Sequence, residues 1–115
     1  MNKEFEFKKL IKGKGFFCKI SYEFDTIESL ILNFDCQIDT KWYGALLFGT
    51  NYFYEKYALS KNNGIKIIIK DIEDQIIDTS NMVVFLCIIE LLSMETQFII
   101  SGFELNHYGD LIIPK

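Results

Sequence analysis

At 115 residues, half of them hydrophobic, the chain is long enough to bury one core and too apolar for a disordered segment. Residues 1–20 carry six lysines against two glutamates, whereas residues 71–115 carry eight carboxylates against one lysine. The sequence contains no arginine, the planar side chain that grips phosphates and bases in two places, so the composition argues against nucleic-acid binding and favours a basic partner for the acidic half.

We expect a single globular domain over residues 1–115, located in the cytoplasm. The N-terminus alternates polar and apolar residues and lacks the apolar stretch of a secretory signal. The longest apolar run, 82–89, is far shorter than the ~20 residues that span a membrane. Cys18, Cys36 and Cys87 are odd in number and form no C-x-x-C pair, which predicts reduced, buried thiols and no cofactor or metal.

The first predicted elements are two strands, Lys3–Leu10 and Gly15–Phe24, in which polar and apolar residues alternate. Glycines at 13 and 15 flank Lys14 and permit the positive φ that a tight reversal requires. The pattern therefore predicts a β-hairpin with its lysines in solvent.

The middle of the chain gives less regular patterns. Asp25 and Thr26 precede apolar residues at helical spacing, which favours a short capped helix over 27–32, with a strand as the alternative. Residues 42–49 read as a short buried strand, and 51–59 as either a strand or an irregular aromatic loop. We expect three of the rings in this region to fill the core: Tyr43, Phe48 and Phe53.

The second half gives clearer signals. The β-branched stretch Ile65–Lys70 predicts a strand, and Met82–Met94, with N-cap candidates at 78–81, predicts the central helix. Gln97–Leu105, with Gly102 as a bulge, and Leu111–Ile113 predict a second hairpin. Together these elements predict an α+β fold: a mainly antiparallel sheet of about five or six strands packed against one strong and one weak helix.

Catalytic signals are weak, and we do not expect an enzyme. His107 is the only imidazole, and its context in 106–109 is typical of a turn. Gly13–Gly15 lacks the spacing of a phosphate loop. The carboxylates of residues 71–78 are more simply a solvated segment than an acid and base pair, and they lack the pattern of a calcium loop.

Two features favour a protein-binding role. Five amphipathic aromatic residues, of the kind that anchor protein interfaces, lie within sixteen residues: Trp42, Tyr43, Tyr52, Tyr54 and Tyr57. The next polar segment is rich in carboxylates. This combination suits a basic protein surface, and it gives the candidate binding residues Asp71, Glu73, Asp74, Asp78, Tyr52, Tyr54 and Glu55.

Two segments, 44–59 and 71–80, resemble small immunity proteins of bacterial contact-dependent growth inhibition and related polymorphic toxin systems. The resemblance implies a stoichiometric antitoxin. It would bind the cognate toxin domain, often a nuclease acting on tRNA, rRNA or DNA, and hold that domain inactive without catalysis. A nuclease site is rich in lysine and arginine, so fixed carboxylates would suit it, and the basic N-terminal hairpin would face away or meet an acidic patch.

Two other classes remain open. One is a small enzyme or ligand-binding domain with a pocket lined by Trp42 and the tyrosines. The other is an oligomeric structural subunit that pairs through the strand Ile65–Ile69 or the C-terminal hairpin.

Overall fold

The computed structural model describes residues 2–100, 102–105 and 111–112. Strand β1 (Lys3–Ile11) pairs antiparallel with β2 (Lys14–Ile27), and Ile11 lies opposite Lys14. The two residues between the strands, Lys12 and Gly13, both have positive φ, 48° and 84°. This is the geometry of a two-residue type I′ turn, and it confirms the predicted hairpin.

The main sheet continues with β3 (Leu32–Cys36) and β4 (Gly64–Glu73), in the order β1-β2-β4-β3. Strand β4 runs antiparallel to β2 and parallel to β3. It confirms the strand predicted at 65–70 and lies inside the sheet. Because β4 has a neighbour on each side, the suggestion that this strand pairs with another copy is wrong.

Two sixteen-residue helices pack against each other over one face of this sheet. Helix α1 (Tyr43–Ala58) connects β3 to β4, as a parallel strand pair requires. Helix α2 (Asn81–Thr96) covers β1 and β2 and confirms the predicted central helix. Its N-cap is Ser80, whose side chain accepts a hydrogen bond from the Val83 amide at 3.3 Å. Neither helix has the length and apolar run that crossing a membrane requires.

The short helix expected at 27–32 is wrong. Strand β2 extends to Ile27, since Thr26 and Ile27 pair with Ile65 and Gly64 of β4. The chain then bends at 28–30 and enters β3 at Leu32.

The strand expected at 42–49 and the strand or loop expected at 51–59 are also wrong, because α1 runs through both segments from Tyr43 to Ala58. The helix buries one side of itself, and Phe53 lies on that side as predicted. Tyr43 and Phe48 lie on other sides and are 46% and 58% exposed, so the expectation that they fill the core is wrong.

After α2, the left-handed conformation of Gln97 (φ 58°) ends the helix, and residues 97–100 form no strand. Of the predicted C-terminal hairpin, the structure describes a short antiparallel pair, β5 (Glu104–Leu105) and β6 (Leu111–Ile112), outside the main sheet. His107 lies outside the described residues. The predicted α+β class is confirmed. The main sheet has four strands, and the second helix is the sixteen-residue α1 and not a short helix at 27–32.

The two faces of the main sheet differ in chemistry. Side chains that alternate toward the helices form the core, including Phe7, Cys18, Ile20, Tyr22, Ile65, Ile67 and Ile69. The opposite face carries charged side chains and has no helix over it among the described residues.

Candidate functional site

The four predicted carboxylates lie at one end of the main sheet. Asp71 and Glu73 lie on β4, opposite Ser21 and Lys19 of β2, on the face away from the helices. Asp74 follows the strand and accepts a hydrogen bond from the indole nitrogen of Trp42 at 2.8 Å.

Asp78 lies beside the end of the first hairpin. Its backbone carbonyl accepts a hydrogen bond from the Phe17 amide at 2.9 Å, and its side chain lies against Gly15. The four carboxylates are close together in the sequence, and the structure keeps them at one end of the molecule.

A turn between β4 and α2, residues 75–79, projects from this end, and we call it the isoleucine turn. Ile76 and Ile77 at its tip have exposed fractions of 102% and 86%. Large apolar side chains of this kind, exposed to solvent and held between Asp74 and Asp78, are the type of feature that contacts a partner protein.

The base of the isoleucine turn is fixed by hydrogen bonds. The Gln75 amide donates to Thr79 Oγ1 at 2.8 Å, and the Thr79 amide donates to the Gln75 carbonyl at 3.0 Å. Thr79 is buried, and its hydroxyl in turn donates to the Phe17 carbonyl at 2.6 Å. The turn therefore holds its isoleucines out from a defined, anchored backbone.

The structure separates the other predicted site residues from these carboxylates. Tyr52 packs edge-on against Phe85 and Phe103, with ring centroids 5.7 and 5.6 Å away. Tyr54 lies on another side of α1, since two residues turn a helix by about 200°, and its ring contacts Tyr57. Glu55 is exposed.

Helix α1 fixes how far apart these groups are. At the start of the helix, the N-cap residue Trp42 donates a hydrogen bond to Asp74. At its end, the Tyr57 hydroxyl donates a hydrogen bond at 2.9 Å to Asn63, directly before β4. Tyr54 and Glu55 are therefore near the far end of the sheet from the isoleucine turn.

The helix-free face of the sheet has an excess of negative charge. Strand alternation places these carboxylates there: Glu4, Glu6, Glu23, Asp25, Asp35, Asp71 and Glu73. The lysines on the same face are fewer: Lys8, Lys19, Lys66 and Lys70. Two of these lysines form ion pairs within the face, Lys19 with Glu4 at 3.6 Å and Lys70 with Glu23 at 2.9 Å. The hydrogen bond from Lys70 holds the pKa of Glu23 below its usual value.

Two of the three cysteines are buried as predicted, whereas Cys36 is only partly buried, so the prediction is wrong for that residue. Cys18 and Cys87 are fully buried. A hydrogen bond with Cys18, together with burial, raises the pKa of the Cys87 thiol far above its usual value, which favours the protonated thiol. No group of three histidine, cysteine or carboxylate residues lies together to hold a metal ion in the part of the chain that the structure describes.

A cavity of about 650 Å³ lies along α2, between Phe5 of β1 and residues 97–100 and 102–103. Its lining is mostly apolar and includes Leu86, Ile89 and Met94. Among the described residues, neither Trp42 nor a tyrosine lines this cavity, so it is not the aromatic pocket expected for a ligand-binding domain. Trp42 instead is buried beside Asp74, with Lys41 over its ring.

No protein-family model matches the chain, and no curated protein matches its sequence. Among solved structures, a protein of Thermus thermophilus designated ttk003000868 has a similar fold. The two are 15% identical, with a TM-score of 0.56 over 76% of this chain, and the chain spans only 14% of the length of that protein. At this level of identity the likeness concerns the fold alone.

Proposed function

We propose that this protein is a noncatalytic immunity protein of the cytoplasm, which binds a basic toxin domain, a nuclease in the simplest case, and occludes it. The observation that carries the proposal is the isoleucine turn, in which Ile76 and Ile77 project into solvent at 102% and 86% exposure between Asp74 and Asp78. Apolar anchors surrounded by carboxylates match a cationic protein surface that has apolar recesses.

The two isoleucines supply the affinity in this proposal. Fully burying one such side chain contributes about 1.5–3 kcal/mol, so the pair is a hot spot of ordinary strength. Because Thr79 and Phe17 already fix the base of the turn, little backbone entropy is lost when a partner covers its tip.

The carboxylates supply attraction and orientation. Asp71 and Glu73 lie on the sheet face beside the turn, and the whole face has more carboxylates than lysines. Such a field attracts the lysines and arginines that a nuclease uses for phosphate, and so increases the rate of encounter.

The test uses the purified C-terminal domain of a secreted effector encoded next to this gene, with titration calorimetry as the measurement. We expect the wild type to bind the domain and inhibit it. The variant Ile76→Ser/Ile77→Ser should bind at least about 30-fold more weakly, because it removes about 2 kcal/mol or more of apolar burial.

The matched control is Leu30→Ser/Ile31→Ser. This pair is also adjacent, apolar and exposed, at 66% and 53%, but it lies beside the start of β4, at the other end of the sheet. The control should bind like the wild type. Equal losses in both variants, or none in the turn variant, would contradict the assignment of this surface.

A further inference from the structure

Strand β1 is an edge of the main sheet. In the part of the chain that the structure describes, it pairs with β2 on one side and with no strand on the other. Its nine residues span about 30 Å and pair with β2 without a bulge. A long, regular edge of this kind offers a row of unpaired backbone groups to another strand.

The features that usually protect such an edge are weak here. The strand contains no proline. Lys3 and Lys9 point to the helix side, where unpaired charges would repel an incoming strand, but each is paired with a glutamate of α2. Lys3 lies 3.1 Å from Glu95, and Lys9 lies 3.9 Å from Glu90.

We propose that two copies of this chain pair antiparallel through β1, about a two-fold axis at Phe7, to form a continuous eight-stranded sheet. In this register all nine residues of β1 find a partner. Glu6 lies opposite the partner's Lys8, and Phe7 lies opposite the partner's Phe7. No two like charges lie directly opposite each other, which favours the pairing.

The neighbouring registers are worse. Directly opposite residues must share a face of the sheet, so the axis can move only by whole residues along the strand. With the axis at Glu6, that carboxylate faces its own copy and Lys3 faces the partner's Lys9. With the axis at Lys8, two lysines meet. Charge and overlap therefore select the same register.

The helix layer is consistent with the same pairing. A two-fold axis perpendicular to the shared sheet places both copies of α2 on the same side, next to the axis. The apolar cavity along α2 lies on that side of β1, and it includes Met94 and Ile99, which are 51% and 78% exposed. Pairing brings this apolar surface of each copy next to the other copy, as a stable interface requires.

The test changes the charges at positions 6 and 8 and measures dimerisation by sedimentation equilibrium at protein concentrations from about 1 to about 200 µM. The wild type should dimerise. Glu6→Lys and Lys8→Glu should each weaken the dimer by about tenfold, because each sets two pairs of like charges opposite one another. The double variant Glu6→Lys/Lys8→Glu restores both pairs and should return to within about threefold of the wild type.

The control is Glu4→Lys, which makes the same charge change on the same face of the same strand but lies opposite the partner's Leu10. It should leave the dimer nearly unchanged. A wild type that is monomeric throughout, or a double variant as weak as the single ones, would overturn the proposal.

A second measurement needs no variant. Amide hydrogen exchange in β1 of the wild type should slow as the protein concentration rises, whereas exchange in β3, the other edge strand, should not. Exchange in β1 that is independent of concentration would overturn the pairing. This inference does not rest on toxin binding, since the strand pairing uses the backbone of β1 and the side chains of Glu6 and Lys8, and none of these belongs to the isoleucine turn.

Discussion

Tyr22 shows how one buried polar group joins three elements. Its side chain is fully buried, and its hydroxyl donates to Glu95 Oε2 at 2.6 Å. Lys3 completes the cluster, with its ammonium 3.1 Å from both oxygens of Glu95. Burial, together with the Glu95 carboxylate, raises the pKa of Tyr22, and the cluster ties β1, β2 and α2 together.

We expect Tyr22→Phe to lower the free energy of unfolding at pH 7 by about 1–2 kcal/mol, because the hydroxyl binds a charged acceptor. A raised folded-state pKa means that the contribution of Tyr22 is complete below its ordinary value of 10 and is lost as the pH rises above it. The difference between wild type and variant should therefore shrink at about pH 11. Urea unfolding followed by circular dichroism at both pH values measures it.

Tyr43→Phe is the control for this prediction, since Tyr43 is partly exposed and its ring packs on Phe34. It should change stability little at either pH. A difference between wild type and Tyr22→Phe that stays constant to pH 11 would contradict the assigned role of the hydroxyl.

At the scale of elements, α1 and α2 meet at Gly49. A Cβ atom at this position would overlap Ile88 and would lie 3.3 Å from Phe85. Glycine is therefore required by the close approach of the helices, although it costs α1 helix propensity. Gly44, near the start of the same helix, has no atom within 4 Å of such a Cβ.

We expect alanine substitutions at these two glycines to change the free energy of unfolding in opposite directions. Gly49→Ala should lower the free energy of unfolding by about 1–2 kcal/mol, because overpacking outweighs the gain in helix propensity. Gly44→Ala should raise it by up to about 1 kcal/mol, because it gains propensity without a clash. Chemical denaturation of both variants measures the difference, and a stabilised Gly49→Ala would refute the close packing.

An element is predictable from the sequence when the interactions that determine it lie within its own segment. The first hairpin and α2 were predictable, because alternation with a glycine turn and a long apolar stretch after Ser80 act within the segment itself. Helix α1 was missed because its aromatic residues favour strands, and its helical form depends on packing against α2 and the sheet. One signal was present: Leu46, Gly49, Phe53 and Tyr57, all buried, recur at helical spacing.

At the scale of the whole molecule, charge and apolar surface have separate roles in the proposed complex. Asp71→Asn/Glu73→Gln should slow association with the toxin domain about threefold or more at low salt and leave dissociation nearly unchanged. The variant Ile76→Ser/Ile77→Ser should speed dissociation and leave association nearly unchanged, because buried apolar contacts determine the dissociation rate. Surface plasmon resonance over a salt series separates the two rates.

Glu28→Gln/Glu55→Gln removes the same total charge from exposed positions outside the turn, and it is the control for this kinetic prediction. It should leave association nearly as fast as in the wild type. Equal slowing in both charge variants would mean that net charge, and not the acidic face, guides encounter.

The candidate site was only partly predictable. The four carboxylates were grouped because they are close in sequence, and local proximity survives folding. The exposure of Ile76 and Ile77 is not predictable from the sequence, because an isoleucine pair normally predicts burial, whereas here hydrogen bonds at the base of the turn hold the pair in solvent. Tyr52 and Tyr54 were grouped by sequence proximity, but the helical rotation separates them.

The chain has one tryptophan, and its indole bonds to the carboxylate directly before the isoleucine turn. Trp42 is thus a built-in fluorophore at the proposed contact, with 9% of its surface exposed. A protein seated on the turn should perturb Asp74 and with it the emission of this single indole. Complex formation would then be visible in unlabelled protein as a change in ultraviolet fluorescence.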